Sequence, residues 1–383
     1  MNLENDNFLK ISDVIINSYI EEWKKDNKKV IGHYCTYIPE ELLHAAGLLP
    51  YRIRATGNED TDLGDIYMVR FTCSFVRMTL DLALKGGFDF LDGLFISNCC
   101  DHARRMYELF DMKVFSREQF KEKPPRFYTP VPHVITEEGF DYYLNEVRNI
   151  KVEIEEKFNI GTISDEKLKK SIELYNENRE LMREIHKLRI LEDSKLTGTE
   201  ALKISMANNS VPKEIANKEL KRILGILKGR EGTKSKRKRI MIAGSVVDNV
   251  DFIKVIESAG GDVISDFLCF GTRNFIDDVV TNSGKDPLEE IARRVYFRMS
   301  CPRMMDDHPR RLEFMKKQIK EANIEGILVQ RINNCDLHGC ENMLLEHEFK
   351  DLNVPIFNID RENFQKDNTR LQTRIEAFIE MIK

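Results

Sequence analysis

The cysteines are the residues of this chain whose positions point most directly to chemistry. The sequence has 383 residues and eight cysteines, and several of them fall at the ends of predicted elements. Cys73 lies where a loop enters a helix. Cys99 and Cys100 lie just past the carboxyl end of one buried strand, and Cys335 lies just past another. Because ligands of open α/β sheets bind outside those carboxyl ends, we expect these thiolates to converge on one crevice.

Three converging thiolates suit an iron–sulfur cluster. A four-iron cluster held by three cysteines keeps one iron open for a substrate, as catalytic zinc sites keep an open position. No pair with C-x2-C spacing occurs, so neither a ferredoxin-type run nor a zinc ribbon is indicated. Spacing alone equally allows each cysteine to be a small apolar residue buried at a strand end.

The order of predicted elements places these cysteines in an α/β fold. In the N-terminal part, strands are predicted at residues 29–35, 50–54 and 91–98, and helices up to residue 25, at 39–47, at 72–85 and from residue 100. Strands and helices alternate in this way when helices cover a parallel sheet. The proline-rich stretch 124–132 closes this first unit.

A highly charged helical segment, residues 139–227, separates that unit from a second one. After a basic connector at 229–239, a β-α-β unit is predicted at 240–265. It is followed by strands at 326–330 and 355–359 and helices at 341–350 and 369–382. We therefore predict an α/β protein of two Rossmann-like lobes, each a parallel sheet covered by helices. The lobes are residues 1–138 and 235–383, joined by a helical segment at 139–234.

Composition excludes several classes of function. The chain has 59 lysines and arginines against 64 aspartates and glutamates, and its net charge of −5 gives no positive field for nucleic-acid binding. Neither a membrane-spanning apolar run nor a secretory signal is seen, so we expect a cytoplasmic protein without structural disulfides. Residues 244–248 lack the glycines of a dinucleotide fingerprint and no Walker A sequence occurs, which argues against direct binding of NAD or ATP.

Three blocks of the sequence contain cysteines in distinctive surroundings. They read GHYCTYIPEELLHAAGLLP at residues 32–50, NCCDHARRMYE at 98–108 and NCDLHGCENML at 334–344, the last followed by VPIFNID at 354–360. Together they resemble the 2-hydroxyacyl-CoA dehydratase / benzoyl-CoA reductase family, in particular its iron–sulfur subunit of the D-component type. The resemblance covers nearly the whole chain except the helical middle.

The resemblance implies a cofactor and partners. Family members are dimers of two related subunits, each with a [4Fe-4S] cluster on three cysteines, and a separate ATP-hydrolysing iron–sulfur activator supplies one low-potential electron. By motif, the ligands in this chain are Cys73, Cys100 and Cys335. Cys100 is preferred to Cys99 because the family's ligand directly precedes an aspartate. The partner is a paralogous subunit or a second copy of the chain.

Other cysteines near these blocks widen the choice of ligands. Cys99 and Cys340 are candidate additional ligands, and Cys35 and Cys301 could enlarge the set further. A related branch of the family holds a double-cubane cluster on six cysteines, although its cysteine spacing differs from the spacing in this chain. That branch gives the alternative of a small-molecule reductase.

The reaction implied by the resemblance explains the need for an electron. The β-hydrogen of a 2-hydroxyacyl thioester is not acidic. One electron added to the thioester carbonyl gives a ketyl radical anion, which expels the α-hydroxyl group and acidifies the β-position before the electron is recovered. An open iron acts as a Lewis acid while the protein excludes water. The chain is thus expected to be part of an acyl-CoA lyase, with the aromatic-ring-reducing benzoyl-CoA enzymes as the alternative.

The resemblance also indicates residues for catalysis and binding. Glu41, Tyr34 and Thr36 lie in the first block, which the family places near the crevice, and are the acid–base candidates. Glu41 is equally well explained as a first-turn carboxylate favoured by the helix dipole. Arg70 and Arg104 are candidates for binding coenzyme A phosphates. Further charged residues that flank the ligand positions are Arg77, Arg105, His102 and His338.

Two functions of other classes stay open on the sequence. One is an electron-relay subunit that binds no substrate, with the active cluster on a paralogous partner. The other is a metal-free α/β binding protein with buried thiols. Thioester binding by the chain separates a dehydratase subunit from a relay, and a colourless, iron-free protein would favour the binding protein.

Overall fold

Two four-stranded parallel sheets frame the described part of the protein. The computed structural model describes residues 3–233, 235–281, 283–352, 354–363 and 369–382. The strands of the first sheet are β1 (Val30–His33), β2 (Leu49–Arg52), β3 (Gly93–Ser97) and β4 (Arg126–Thr129). Those of the second are β5 (Lys238–Gly244), β6 (Gly261–Phe267), β7 (Gly326–Ile332) and β8 (Ile356–Arg361). The predicted α/β fold of two lobes is confirmed.

Both sheets have the same strand order. It is β2-β1-β3-β4 in the first sheet and β6-β5-β7-β8 in the second, and all neighbouring strands are parallel. In each sheet the strand order reverses beside the first strand, so a crevice opens at the carboxyl ends of β1 and β3, and of β5 and β7. The two lobes therefore each present one such crevice.

Helices cover both sheets. They are α1 (Ser18–Lys25), α2 (Glu40–Ala45), α3 (Gly64–Tyr67), α4 (Ser74–Leu84), α5 (Asp101–Leu109), α6 (Glu137–Phe158), α7 (Asp165–Arg189), α8 (Gly198–Asn208), α9 (Lys213–Gly229), α10 (Val250–Ser258), α11 (Pro287–Phe297), α12 (His308–Glu321), α13 (Asp336–Glu348) and α14 (Thr369–Met381). Their starts follow capping rules; Thr197 and Glu200, for example, form a capping box at α8. None of these described helices is both long and apolar enough to cross a membrane.

The helical middle of the chain packs against both lobes. Helix α7 packs along α9 and against α2, α8 packs against α10, and α6 packs against α11. In the last contact Tyr143 stacks on Tyr296, with ring centroids 5.6 Å apart. The division into residues 1–138, 139–234 and 235–383 stays a prediction, and position 234 lies outside the described residues.

The structure differs from the predicted elements near the N-terminus and at residues 124–132, and it adds α11 and α12 where no element was predicted. The predicted helix up to residue 25 is broken, and α1 begins only at Ser18 because the Asn17 side chain caps it by accepting N–H bonds from its first turn. The proline-rich stretch 124–132 contains β4, which the prediction missed. Strand β4 lies at the edge of its sheet, where flanking prolines are tolerated.

The turn after β5 brings two strands into backbone contact. Gly244 has a φ of +118°, and a Cβ atom there would lie 1.8 Å from the carbonyl oxygen of Gln330. Only glycine is accommodated at this position. The turn places the Ser245 hydroxyl beside the end of β7, where it accepts a hydrogen bond from the Ile332 N–H at 3.1 Å. The chain reaches Cys335 three residues later.

Candidate functional site

Each of the three predicted ligand cysteines lies directly before a helix. Cys73 precedes α4, Cys100 precedes α5 and Cys335 precedes α13. The first turn of a helix has free N–H groups and partial positive charge, which favour a thiolate there. At α5 the Cys100 sulfur accepts a hydrogen bond from the Ala103 N–H at 3.4 Å. The fold thus directs three helix starts at the same crevice.

Hydrogen bonds tie these three helix starts to one another. Asn334, which has a left-handed backbone with a φ of +65°, donates from Nδ2 to the Arg70 carbonyl oxygen at 3.2 Å. This bond joins the loop before Cys335 to the loop before Cys73 across the two lobes. The Cys73 N–H donates to Nδ1 of His102 at 3.3 Å, which connects the same loop to α5.

The ionisation of two of the three thiols reflects how close together they lie, whereas a hydrogen bond with Cys99 lowers the pKa of Cys100. Burial, and then the sulfurs of Cys335 and Cys100, raise the pKa of Cys73 well above its usual value. Burial also raises the pKa of Cys335 to about 11, and the Cys100 sulfur adds to that rise. Because like charges at short range disfavour ionisation, three thiolates coexist here only beside a positive group. This chemistry suits a metal centre.

Two further thiols extend the group on the side of the first lobe. Cys99 is half-buried and hydrogen-bonds to both Cys100 and Cys35. The bond from Cys99 lowers the pKa of the Cys35 thiol to about 5. Cys35 follows β1 and Cys99 follows β3, so these thiols come from the switch point of the first sheet.

A sixth thiol lies on the side of the second lobe, and the seventh candidate does not join the group. Cys301 interacts electrostatically with the Cys335 thiol. Its N–H donates to the Tyr37 hydroxyl oxygen at 3.3 Å, which places it near the block after β1. Cys340, a predicted additional ligand, is exposed on α13. The crevice therefore gathers six of the eight cysteines.

The arrangement of thiols fits a cluster better than a single ion. Within the ranges that the structure describes, no three His, Cys, Asp or Glu side chains are grouped closely enough to hold one metal ion. A four-iron cluster makes a different demand, because each cysteine binds a separate iron and the ligands surround a larger body. The three thiols come from separate helix starts and interact electrostatically with one another, which is compatible with such a ligand set.

The predicted acid–base residues lie at different distances from the thiols. The Tyr34 hydroxyl lies 2.9 Å from the Thr79 hydroxyl, and burial followed by the Cys73 thiol raises the pKa of Tyr34 well above its usual value. Thr36 is buried directly after Cys35 in the chain. Glu41 faces α7. Catalytic roles for these residues stay predictions.

Glu41 is bound into the contact between α2 and α7. It is 1% exposed, and its Oε1 lies 2.7 Å from Nη1 of Arg179. The Ser171 hydroxyl donates to its carbonyl oxygen at 2.8 Å. Of the two explanations open on the sequence, this geometry favours a structural role for Glu41, because its charge is already balanced by a buried cation.

The predicted binding arginines divide into exposed and buried ones. Arg70 and Arg104 are exposed, and Arg104 pairs with Asp101 at 3.1 Å at the start of α5. Arg105 is exposed as well. Arg77 is buried and bonded to Asp65 at 2.7 Å, so it holds two helices together instead of facing a ligand.

Sequence reasoning missed several residues that surround the thiols. Ser245 hydrogen-bonds to the Cys335 sulfur, and its position directly after a strand and a glycine could have revealed it. His338, in contrast, was already named from the sequence because it follows Cys335 by three positions; it is buried, and burial with nearby arginines lowers its pKa well below the usual value. Buried arginines around the crevice, described below, carry no motif that would have revealed them.

The fold and the crevice define a class of protein: two-lobed α/β proteins with a cysteine-rich crevice at the strand ends of both lobes. Residues 35–382 match the family model described as 2-hydroxyglutaryl-CoA dehydratase, D-component. The chain belongs to this family, and the resemblance seen in the sequence is confirmed.

Known relatives are similar to the chain over most of its length. The (R)-phenyllactyl-CoA dehydratase beta subunit of Clostridium sporogenes is 25% identical, with 98% of each chain covered. A benzoyl-CoA reductase subunit of Thauera aromatica is 26% identical, covering 87% of this chain and 86% of its own. The (R)-2-hydroxyglutaryl-CoA dehydratase subunit beta of Acidaminococcus fermentans is 22% identical, with 95% of each chain covered. All three are named as one subunit of an enzyme.

Proposed function

We propose that this chain is the [4Fe-4S] subunit of a 2-hydroxyacyl-CoA dehydratase. The observation that carries the proposal is the convergence of Cys73, Cys100 and Cys335 from three helix starts. Relatives named as phenyllactyl-CoA and 2-hydroxyglutaryl-CoA dehydratase subunits support the substrate class. The reaction is a radical, ketyl-type elimination of water from a 2-hydroxyacyl-CoA.

In this proposal the three cysteines hold the cluster from both lobes. When bound, the cluster supplies one-electron chemistry and an iron that can polarise a substrate oxygen. His102 fixes the Cys73 backbone and Ser245 bonds to the Cys335 sulfur, so neighbouring residues hold the ligands in place. Cys73 is buried and Cys100 and Cys335 are half-buried, which limits the access of water to this group.

The remaining predicted residues act around that centre. Arg70 and Arg104 are exposed, as a contact with coenzyme A phosphates requires. Tyr34, Thr36 and Glu41 are the acid–base candidates of the first block. The Tyr34 hydroxyl and the Glu41 carboxylate are each already bonded, so either must give up that bond before it transfers a proton.

Partners follow from the way the relatives are named. Because each relative is one subunit of an enzyme, we propose a companion subunit related to this chain, with a second copy of the chain as the alternative. An ATP-dependent iron–sulfur activator is the proposed electron donor. Both would act on the assembled protein, not on the chain alone.

Two observations each favour an alternative function for the chain. Similarity to a benzoyl-CoA reductase subunit favours reduction of an aromatic ring instead of dehydration. The gathering of six thiols favours a double-cubane cluster and a small-molecule reductase. A relay subunit without a substrate site is the remaining alternative, and it differs from the others in its response to substrate.

The test is an oxygen-free assay of the chain with its companion subunit, activator and ATP. With phenyllactyl-CoA or 2-hydroxyglutaryl-CoA we expect a 2-enoyl-CoA product, and substrate should change the spectrum of this subunit's cluster. A reduced ring formed from benzoyl-CoA would support the reductase instead. Turnover without a spectral response of this subunit would support the relay. Iron-loaded protein inactive on every thioester would contradict the proposal.

A further inference from the structure

Four buried arginines near the thiols have no carboxylate partner. Each residue is at most 3% exposed, and within the described residues none has an Asp or Glu oxygen within 4.0 Å. Taking a cation out of water costs several kcal/mol unless a nearby negative charge compensates it. Several other buried arginines of the protein are compensated in that way, for example Arg189 by Asp266 at 2.6 Å. The four uncompensated residues are Arg52, Arg273, Arg298 and Arg303.

The four arginines are bonded to the segments that carry the thiols. Arg298 donates from Nη1 to the carbonyl oxygen of Thr36, next to Cys35, at 3.0 Å. Arg303 donates from Nη2 to the carbonyl oxygen of Asn98, next to Cys99, at 3.3 Å.

The other two arginines repeat the pattern. Arg273 donates from Nη1 to the Ser300 carbonyl oxygen at 3.2 Å and bonds to the Cys301 thiol. Arg52 donates from Nη1 to the carbonyl oxygen of Cys269, a cysteine outside the group of six, at 2.5 Å, and its charge acts on the Cys35 thiol of the group. Each guanidinium is therefore held at or beside a cysteine by neutral acceptors, which orient a positive charge without balancing it.

Three of the four arginines also have a nitrogen atom that makes no hydrogen bond to a described residue. The Nε atoms of Arg52, Arg273 and Arg303 are buried without a hydrogen-bond partner in the described part of the chain. Burial lowers the pKa of Arg298, and repulsion from Arg273 and Arg52 adds to this effect, while Tyr37 and Asp277 oppose it. Such a group of like charges is costly by itself and becomes favourable when an anion is bound beside it.

Two parts of the proposed system could supply that anion. The reacting end of an acyl thioester is uncharged, and the phosphates of coenzyme A lie at its other end. An iron–sulfur cluster with its sulfides and thiolates carries net negative charge, which grows by one when it accepts an electron. It is also bound, on our proposal, by cysteines of the same crevice. The cluster is therefore the better match.

We propose that Arg52, Arg273, Arg298 and Arg303 form a buried cationic shell that balances the negative charge of the cluster and raises its reduction potential. This inference rests on the proposed function. A nearby positive charge stabilises the reduced cluster more than the oxidised one, because the reduced form carries one more negative charge. The four arginines act through the charge of the cluster and are not proposed to contact the substrate.

The experiment measures the cluster's midpoint potential by a redox titration followed by electron paramagnetic resonance. Arg273→Gln, Arg303→Gln and Arg52→Gln each remove one positive charge. Arg52→Gln disturbs hydrogen bonding least, because among the described residues the Arg52 side chain makes one hydrogen bond, to the Cys269 carbonyl oxygen. Iron and sulfide are measured in the same samples of the assembled protein. We expect every variant to hold its cluster at a more negative potential, with a larger shift in a double variant.

The matched control is Arg54→Gln. Arg54 is fully buried and has no carboxylate within 4.0 Å in the described residues, but its contacts, such as Ser210 Oγ at 2.9 Å, lie away from the thiols. Its variant should leave the potential unchanged. The cationic shell would be overturned if the crevice variants held full clusters at an unchanged midpoint potential, or if Arg54→Gln shifted the potential equally. Either result would leave the proposed function standing. Wild-type protein without iron would overturn the proposed function as well.

Discussion

Two buried, charged regions of this protein are built in opposite ways. Where α2 meets α7, charge is paired: Glu41 lies 2.7 Å from Arg179, and both are at least 95% buried. In the cysteine crevice, thiols crowd together, and four of the buried arginines beside them have no Asp or Glu oxygen within 4.0 Å among the described residues. The first region is complete as it stands and holds two parts of the fold together. The second is balanced only when a further group is bound.

The difference teaches how to separate structural from functional buried charge. Both regions were candidates on the sequence, because Glu41 and Cys35 lie six residues apart in one block. Burial distinguishes them poorly, since Glu41 is buried and Cys35 is half-buried. Pairing does: a compensated ion pair needs nothing more, whereas uncompensated groups of one kind indicate a region that binds something else.

The largest expected effect is on iron content. Cys73→Ser, Cys100→Ser and Cys335→Ser should each lose most of the iron of the wild-type protein, because each removes one of three ligands from the cluster. Cys340→Ser is the control, since that residue is exposed on α13 and outside the group. Iron is measured per folded chain. Loss of iron in the control, or full iron in a ligand variant, would show that the ligands are misassigned.

The next effect concerns the paired region. Glu41→Gln removes the nearer of the two carboxylates that balance the buried Arg179, while Asp278 stays 3.4 Å from it. The loss of unfolding free energy should therefore be smaller than the about 3–5 kcal/mol that a fully broken buried pair costs. Denaturant unfolding of the protein measures this loss. Iron per folded chain should stay at the wild-type value, because Glu41 does not contact the thiols.

A double variant sharpens that result. In Glu41→Gln/Arg179→Met the poorly balanced cation is gone and Asp278 keeps its pair with Arg183, so much of the lost stability should return. A catalytic Glu41 would behave differently: Glu41→Gln would fold with nearly normal stability and lose turnover, and the double variant would recover nothing.

A smaller effect is expected at Tyr34, on the crevice side of the comparison. Tyr34→Phe removes a hydrogen bond to Thr79, which should cost about 1 kcal/mol of unfolding free energy. Thr79 keeps its own bond to the Val76 carbonyl oxygen, so no buried donor is left unpaired. We expect turnover to follow stability. A fall in kcat of about 100-fold or more would instead identify Tyr34 as a general acid or base.

The smallest effect is expected at the exposed arginines. Arg104→Ala removes a surface pair with Asp101 and should change stability by no more than about 0.5 kcal/mol. If Arg104 binds coenzyme A phosphates, KM for the thioester rises while kcat is kept. An unchanged KM in Arg104→Ala and Arg70→Ala would remove both residues from the binding site.

The fold was largely accessible from the sequence because its signals are local. Alternating strands and helices predicted both lobes, and the cysteines at strand ends predicted one crevice. Strand β4 was missed because its prolines hide an edge strand. The break before α1 was missed because apolar periodicity continues across it, and only the Asn17 cap marks the start.

The site could be predicted from the sequence only in part. Residues next to strand ends, such as Cys100 and Cys335, follow from topology. Glu41 belongs to the same block as Cys35, but whether its side chain turns to the thiols or to Arg179 depends on a helix more than 130 residues away in the chain. The buried arginines also depend on such long-range packing. Arg303, for instance, reaches Asn98 from the other lobe.

The most direct test of the whole account is the iron and acid-labile sulfide content of the protein purified without oxygen. One cluster on Cys73, Cys100 and Cys335 predicts about four irons and four sulfides per chain. About eight irons would indicate the double cubane and bring the neighbouring thiols into its ligand set. No iron, even after co-expression with a companion subunit, would contradict the cluster and the proposed reaction together.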